Sequence, residues 1–510
     1  MNLLLIPPDT RPPTLAFPVN LVKATGHIVH TPPLAALNNL NQPGDLEMLH
    51  EWLEAHAPSA DYLIVCLETL CLGGLIPARR ISDSLDEVLQ RLNILTQIKQ
   101  AHPQLRILAF GVIVRVAHDD DPLEEKPYYG VHGQELRAYS EYKDKVERHQ
   151  NSRNITHLAD IVKSLPEDVL QDWLATRERN HKMHVAALEL TVAGVISHLH
   201  LTLDDTSTYG LAARDRRNLE RHVDELGIWN KVNIYPGADE VSATLIAKAL
   251  APHPTRVYVH LSARLGEAAE LLYEDRPVGE LLNAHLRAAS CVWVNHLPEA
   301  DAVLAVNTPA RKQGEQQPNY ATVDTPERYL PTFVDALRNY LDASKPVVLA
   351  DVAYANGAET RLMTCCKHLP LARLAGFSAW NTAGNTLGGA ITMAVLAPLV
   401  KDKTLWTEIL FNRFVDDYLY QSVVRKQVWK DLSQPSVFDL GDRQSEAEAR
   451  IDALLKPLAL EFWETYFSED GLELHWQPTK LAWPRLFTGV FPFEVCKTSS
   501  SVSDSTVNTK

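Results

Sequence analysis

The strongest constraint on the fold is a regular alternation of short β-branched runs with amphipathic helical segments, which continues from the N terminus to about residue 400. Such alternation is typical of a mainly parallel α/β architecture, because parallel strands need a crossover helix between them. We therefore predict ten strands: LLLI near residue 3, HIVH at 27, YLIVCL at 62, RILAFGVIV at 106, HLHLTL at 198, VNIY at 232, RVYVHL at 256, CVWV at 291, AVLAV at 302 and PVVLA at 346.

Ten strands are more than the eight that a single (β/α) barrel needs. The sequence leaves two arrangements open: a (β/α) barrel-like core with additional strands, or two α/β domains that pack with a cleft between them. In the second arrangement we expect the subdivision near residue 300. In both arrangements, residues 1–400 are predicted to form the α/β catalytic region.

Three stretches depart from this alternation. Residues 122–195 are charged and helical in pattern, and a helical insertion of this kind usually shapes a binding cleft or a subunit contact. From Lys401 the pattern becomes helical, which predicts a C-terminal helical domain over residues 401–490. Residues 491–510 are mostly small and polar without periodicity at their end, so we expect a disordered tail there.

Charge and hydropathy limit the partners of the chain. The formal net charge is −15 without a basic stripe, which argues against nucleic acid and anionic membrane surfaces as partners. No apolar run reaches the length of a membrane span, and the N-terminal run reads as a strand and not as a signal peptide. We therefore expect a cytoplasmic protein with a small-molecule partner, and the sequence leaves a homo-oligomer open.

The cysteines and glycines indicate no metal or cofactor. The six cysteines are scattered, without a CxxC pair or a His/Cys cluster at zinc spacing. The segment GNTLGG lacks the lysine and the spacing of a phosphate-binding loop. We therefore predict that the protein uses no cofactor.

Polar residues follow the predicted strands repeatedly. In parallel α/β folds, the loops after the strands converge on the ligand site, so these residues are candidates for a common site. An acid directly after a strand can also be a helix N-cap, and for each single residue that alternative stays open. The candidates are Asp9, Arg11, Glu68, Arg79, Arg115, Asp204, Asp205, Asp239, Glu240, Asn307, Asp351 and Asn356.

Two loops carry paired acids, Asp204 with Asp205 and Asp239 with Glu240. Carboxyl groups that share a dry site are pushed apart in pKa, so that one can donate a proton while another stays ionised. Cleavage of a glycoside needs this combination. The YPGADEV segment is also similar to the GGDE segment of hexosaminidases that use the substrate acetamide as nucleophile, which favours an N-acetylhexosaminide.

Two further segments fit the binding of a sugar. Trp380, Asn381 and Asn385 in WNTAGNTLGG combine carboxamides with an indole, which suits a neutral polyhydroxylated ring; a tightly packed strand-to-helix corner is the alternative. Glu274 and Asp275 in YEDRP precede a helix, where a salt-bridged cap explains them equally well.

Eight segments, in order, resemble a bacterial family known as domain of unknown function 4127: IPPDTRPP, CLETLCLGGLIPAR, LDDTSTYG, YPGADE, YEDRP, VNTP, DVAYANG and WNTAGNTLG. The resemblance covers about residues 1–430 and implies a cytosolic α/β protein with sugar-handling character, without an established catalyst. Thr10 and Thr14 stand where the family usually has an acid and an amide. Glu68 and Ala78 replace the usual Asp and Ser.

Three functions follow from these observations. The first is a glycoside hydrolase with Asp204, Asp205, Asp239 and Glu240 as catalytic candidates and the other residues above as sugar ligands. The second is a hydrolase or lyase in which the same carboxylates hold Mg²⁺ or Mn²⁺, or in which histidines hold zinc. The third is a sugar-binding protein without catalysis. The histidines considered for zinc are His118, His198, His200 and His260.

Overall fold

The computed structural model describes residues 1–120, 122–204, 206–343, 345–433, 436, 439–468 and 471–497. Two open sheets form its centre, and both are entirely parallel. The parallel α/β prediction is therefore confirmed, and the closed-barrel arrangement is wrong because neither sheet closes on itself.

The first sheet contains six strands in the order β2-β1-β3-β4-β5-β6. Strands β1, β3 and β4 are almost continuous buried apolar runs, as expected for strands covered by helices on both faces. The strands are β1 (Asn2–Ile6), β2 (Ile28–His30), β3 (Tyr62–Cys66), β4 (Arg106–Ile113), β5 (His198–Leu203) and β6 (Val232–Pro236).

The second sheet contains five strands in the order β11-β10-β9-β7-β8. Numbered from its own first strand, its order is 2-1-3-4-5, which is also the order of the first five strands of the first sheet. The strands are β7 (Thr255–Leu261), β8 (Cys291–Val294), β9 (Ala302–Asn307), β10 (Val347–Asp351) and β11 (Gly376–Ser378). The chain passes between the sheets after β6, near residue 250, so a subdivision near 300 would cut the second sheet between β8 and β9.

Eighteen α-helices surround the sheets in the described part of the chain. A π-helical stretch, Val415–Val424, connects the sixteenth to the seventeenth. The helices are α1 (Ala16–Ala24), α2 (Leu46–His56), α3 (Leu67–Leu72), α4 (Pro77–Arg80), α5 (Leu85–Leu92), α6 (Ile94–Ala101), α7 (Tyr129–His149), α8 (Ser152–Ser164), α9 (Glu167–Val192), α10 (Leu211–Leu226), α11 (Val241–Leu250), α12 (Val278–Ala288), α13 (Leu330–Asp342), α14 (Thr360–Cys365), α15 (Ala383–Leu396), α16 (Lys403–Phe414), α17 (Arg425–Asp431) and α18 (Gln444–Tyr466).

Helices α11 and α15 join the two sheets into one core. Every residue of α15 is buried, and the apolar cluster around it contains strand residues of both sheets. A helix that is apolar on all faces is stable only when it is enclosed on all sides. The glycines of α15 permit the close approach, since a Cβ at Gly388 would lie 2.1 Å from the Cγ of Glu240.

The C-terminal region is helical, as predicted, and it also contains two short antiparallel pairs. Helix α16 packs on the second sheet, and α18 packs on α16 through the Phe411–Trp463 and Phe414–Phe462 ring contacts. Strand β12 (Leu472–Trp476) pairs with β15 (Phe493–Lys497), and β13 (Lys480–Leu481) pairs with β14 (Gly489–Val490). Residues 493–497 of the predicted tail therefore form a strand, and residues 498–510 lie outside the described part.

None of the helices among the described residues combines the length and the apolar character that crossing a membrane requires.

Candidate functional site

A cavity of about 310 Å³ lies where the carboxyl ends of the strands of both sheets meet the C-terminal region. Its wall contains residues from loops after β1, β3, β4, β5, β6, β10 and β11, together with the segment from 483 to 488. Loops that are far apart in the sequence therefore converge on one hollow. Of the residues predicted for the site, the wall contains Arg11, Arg79, Arg115, Asp204, Asp239, Asn356 and Asn381.

Arg11 connects two carboxylates at the base of this cavity. Its Nη1 donates to Asp239 Oδ2 at 3.0 Å and its Nη2 to Asp239 Oδ1 at 2.5 Å. Nε and Nη2 donate to Asp9 Oδ2 at 3.0 and 2.7 Å. Asp9, which is 1% exposed, also accepts from the Thr14 hydroxyl at 2.6 Å. Asp9 therefore holds the Arg11 side chain in position and does not line the cavity itself.

Asp239 is a cavity carboxylate whose proton affinity is raised. Burial raises its pKa to about 6, and the charges of Asp9 and Asp204 act in the same direction. The Arg11 guanidinium opposes this rise. The backbone N–H of Asp239 donates to Asn385 Oδ1 at 3.1 Å, so Asn385, which does not line the cavity, holds the loop in place.

A second ion-pair network surrounds Asp204. Arg79 Nη2 donates to Asp204 Oδ2 at 2.7 Å, and its Nη1 donates to Glu125 Oε1 at 3.2 Å. Arg115 donates to Glu125 Oε1 at 3.0 Å and to Glu124 Oε2 at 2.8 Å. The first acidic loop thus brings Asp204 to the cavity. Asp205, the other acid of this pair, lies outside the described residues.

The two acids of the second pair face different ways, which corrects the prediction that both serve the cavity. Glu240 precedes α11, and successive residues at a helix start point about 100° apart. Its Oε2 accepts from the Ala238 N–H at 3.0 Å, and its Oε1 lies 3.9 Å from His285 Nδ1. Burial raises the pKa of Glu240 to about 8, so this carboxyl is protonated at neutral pH.

Asn356 and Asn381 occupy the wall contributed by the second sheet. Both have a φ of 61°, in the left-handed region that is unusual for residues other than glycine. The Asn356 N–H donates to the Asn381 carbonyl at 2.9 Å, which links the two loops. Such backbone conformations concentrate at functional sites, which supports a ligand role for both carboxamides.

A family model described as a protein of unknown function, DUF4127, matches residues 3–490, nearly the whole chain. The chain belongs to this family. No curated protein and no solved structure matches it. The eight motifs that carried the resemblance therefore identified the family correctly. Seven of them contribute to the cavity wall of this DUF4127 protein, through Arg11, Arg79, Asp204, Asp239, Tyr273, Asn356 and Asn381.

Glu68, which was predicted to bind substrate, lies inside the first sheet of the DUF4127 protein. It is 1% exposed, and its Oε1 lies 2.8 Å from His184 Nε2 and accepts from the Val112 N–H at 3.0 Å. Helix α3 begins at Leu67, directly after β3, and this position turns the Glu68 side chain towards β4 and α9. The prediction for Glu68 is therefore wrong.

Asn307 and Asp351 also belong to a buried network and not to the cavity. Asn307 Nδ2 donates to Asp351 Oδ1 and to Glu359 Oε2, both at 2.9 Å. Arg328 Nη2 donates to Glu359 Oε1 at 2.9 Å and to Asp324 Oδ1 at 2.6 Å. Both predicted residues are therefore structural, because the loop that contains Arg328 covers them.

The two acids of YEDRP have structural partners, but neither caps α12, the helix that follows them: Glu274 caps α15, and Asp275 forms ion pairs. Glu274 Oε1 accepts from the Gly384 N–H at 2.8 Å, near the start of α15, and burial raises the pKa of Glu274 to about 8. Asp275 accepts from Arg276 Nε at 2.7 Å and also pairs with Arg216. Neither carboxyl lines the cavity, so the prediction that they bind substrate is wrong.

Trp380 is 3% exposed and does not line the cavity either. Its ring centroid lies 5.7 Å from that of Phe487, and its carbonyl accepts from the Thr386 hydroxyl at 3.0 Å. The indole thus packs behind the wall and supports Phe487, which does line the cavity. The packed-corner alternative holds for Trp380 and for the glycines of α15.

The histidines of the zinc alternative do not converge. His200 is buried and contacts Asn233 and Tyr235, and His260 Nδ1 lies 2.9 Å from the Tyr340 hydroxyl. Within the described ranges, no three His, Cys, Asp or Glu side chains are grouped so that they could hold a metal ion.

One wall of the cavity was not predicted from the sequence. Trp483, Arg485, Phe487 and Thr488 reach it from the C-terminal region, and Glu124 reaches it from the loop after β4. Arg11 lies over the Trp483 ring with its Cζ 4.6 Å from the centroid. The only signal in the sequence is an unusual concentration of aromatic and basic residues in LAWPRLFTG, at the end of a region that otherwise has a helical pattern.

Proposed function

We propose that the DUF4127 protein is a glycoside hydrolase that acts on a small glycoside bound between its two sheets. One observation carries the proposal: Asp204 and Asp239, from loops after different strands, lie on the wall of a single cavity and are held by different arginines. Two carboxyl groups beside one bond are the minimum that hydrolysis of a glycoside needs.

The two carboxyl groups have environments suited to different roles. Asp204 lies 2.7 Å from the Arg79 guanidinium, and we assign it as the nucleophile or general base. Burial raises the pKa of Asp239 to about 6, so a useful fraction of this group carries a proton near neutral pH. We therefore assign Asp239 as the general acid that protonates the leaving oxygen.

The rest of the wall fits a polyhydroxylated ring. The carboxamides of Asn356 and Asn381 both donate and accept hydrogen bonds, as sugar hydroxyls require. The rings of Tyr273, Trp483 and Phe487 provide apolar surface for the C–H faces of the sugar. The divalent-metal alternative stays a prediction, and chelation tests it below.

A second candidate, a sugar-binding protein without turnover, is favoured by the architecture. Both sheets share the strand order 2-1-3-4-5, and the cavity lies where they meet. Cavities between two such units are common ligand sites in binding proteins as well as in enzymes. This candidate predicts saturable binding of a sugar and no product.

A screen of aryl glycosides, with neutral, N-acetylated and charged sugars, tests the proposal. We expect turnover that persists in EDTA, because no step in this assignment uses a metal. Loss of activity in EDTA that returns with Mg²⁺ or Mn²⁺ would instead support the metal-dependent alternative. Binding of a sugar without release of the aryl group from any substrate would support the sugar-binding candidate.

The pH profile of the active substrate provides a further prediction. The general acid acts only when protonated, so kcat/KM should fall by about tenfold per pH unit above the pKa of Asp239. Because burial raises that pKa to about 6, the fall should begin between pH 6 and 7. Initial rates at low substrate concentration measure this limb, and a kcat/KM that rises through this interval contradicts the assignment.

A further inference from the structure

Glu124 lies at one end of the cavity and is surrounded by three arginines. Arg485 Nη1 donates to its Oε1 at 2.5 Å, Arg115 Nη2 donates to its Oε2 at 2.8 Å, and Arg79 Nη1 lies 3.8 Å from its Oε2. Arg485 belongs to the C-terminal region, Arg115 to the loop after β4, and Arg79 to helix α4. Three distant segments therefore place guanidinium groups around a single carboxylate.

This carboxylate is more accessible than the three arginines that hold it, whose side chains are 4%, 12% and 9% exposed. The Glu124 side chain is 15% exposed, while those of Arg79 and Glu125 are each 4% exposed. Glu124 lies in the loop between β4 and α7, outside any helix or strand. Its side chain can therefore leave the arginines without disturbing a regular element.

The cavity wall also contains two polar side chains from the C-terminal region, Trp483 and Thr488, which are 4% and 1% exposed. Trp483 lies beside the cluster, since its ring centroid is 5.7 Å from Arg485 Cζ. Among the described residues, the buried Trp483 Nε1 and Thr488 Oγ1 atoms have no hydrogen-bond partner. A buried polar atom needs a partner, and at a cavity wall a bound ligand can supply it.

The chemistry of this cluster is that of an oxyanion site. The guanidinium groups of arginines bind carboxylates and phosphates through paired N–H donors. The Trp483 N–H and the Thr488 O–H add two donors. In the free protein the Glu124 carboxylate supplies the negative charge, because arginines buried without a counter-charge would be strongly destabilising.

We infer that the sugar bound in this cavity carries an anionic group, a carboxylate or a phosphate, which replaces the Glu124 carboxylate between Arg79, Arg115 and Arg485. The inference rests on the proposed function insofar as the same sugar presents its glycosidic bond to Asp204 and Asp239. A second anion beside an undisplaced Glu124 would be repelled, so Glu124 competes directly with the ligand.

Calorimetric titration of the full-length chain with glucuronate, glucose 6-phosphate and glucose tests this inference. Glu124→Gln keeps the shape of the side chain and removes the competing charge, so we expect at least about tenfold tighter binding of one or both anionic sugars, since like charges in contact cost several kcal/mol. Glucose should bind equally to wild type and variant. Arg485→Met should weaken binding of the anionic sugars by a larger factor than binding of glucose.

The control is Glu141→Gln on α7, an acid outside this cavity that pairs with Lys145. It should change none of the affinities. A preference for glucuronate identifies the group as a carboxylate, and a preference for glucose 6-phosphate identifies a phosphate. Unchanged or weaker binding of both anions by the Glu124 variant overturns the inference.

This binding test does not depend on turnover. If charged aryl glycosides are inert while neutral ones are cleaved, the inference fails and the glycoside hydrolase proposal stands. If the anionic sugars behave as expected and no aryl glycoside is cleaved, the hydrolase proposal fails and the oxyanion site stands.

Discussion

Asp239→Asn is expected to lower kcat/KM for an aryl glycoside by about 10²–10⁴-fold, the usual contribution of a general acid or base. The amide keeps a hydrogen bond to Arg11 and has no proton to give to the leaving oxygen. The loss should be much smaller for a dinitrophenyl glycoside, whose leaving group departs without protonation. Release of the phenol at saturating and limiting substrate measures both effects.

Glu240→Gln is the matched control for this variant, one residue along the same loop. Glu240 faces α15 and His285, away from the cavity, and its raised pKa of about 8 means that it is already neutral. Glutamine preserves the acceptor for the Ala238 N–H, so we expect activity within about twofold of wild type, since the substitution removes no charge from the site. Equal losses in both variants would contradict the division of roles between Asp239 and Glu240.

Arg328→Met is expected to lower the free energy of unfolding by about 3–5 kcal/mol, the range for breaking a buried ion pair by removing one partner. The Arg328 side chain is 1% exposed and lies between Asp324 and Glu359, whose side chains are each 2% exposed. Methionine fills similar space but removes the guanidinium between the two carboxylates, and Asp324 keeps only its pair with the more exposed Arg361 at 3.4 Å among the described residues. Urea unfolding followed by circular dichroism and intrinsic fluorescence measures the change.

Arg256→Met provides the comparison at the surface. Arg256 pairs with Asp301 at 2.7 Å, and its side chain is 55% exposed. Exposed ion pairs contribute about 0–1 kcal/mol, so this variant should unfold close to wild type. A loss for the Arg328 variant no larger than for the Arg256 variant would show that the Asn307–Asp351–Glu359 network does not stabilise the second sheet.

The sheets could be predicted from the sequence because buried parallel strands are continuous apolar runs. All ten predicted strands occur, and β11 was not predicted because GFS contains a single apolar side chain. The subdivision near 300 could not be corrected from the pattern. The segment β6-α11-β7 has the same periodicity as a crossover within one sheet, and only tertiary packing decides that β7 begins a second sheet.

The site could be predicted in part for a related reason. Polar residues after strands mark the correct edge of each sheet, so Arg11, Arg79, Arg115, Asp204 and Asp239 were found. Periodicity does not tell whether a loop side chain faces the cavity or the interior. The buried partners of Glu68, Asn307 and Asp351 come from α9 and from irregular segments, which no local pattern relates to them.

The part of the cavity wall that the C-terminal region forms could not be predicted, for a different reason. Trp483 and Arg485 lie between two very short antiparallel strands, and those strands have neither the length nor the alternation that a prediction needs. Their position depends on long-range contacts, such as the hydrogen bond from the Gln421 side chain to the Phe487 carbonyl at 3.0 Å.

The central claim is that Asp204 and Asp239 act on one bond in one cavity, and a double-mutant cycle tests it most directly. The measurement is kcat/KM of a single aryl glycoside for wild type, Asp204→Asn, Asp239→Asn and the double variant. Residues that act as a unit give strongly non-additive losses. The account predicts a double variant about as impaired as the worse single variant, whereas losses that multiply would show that the two carboxyl groups act independently and would contradict it.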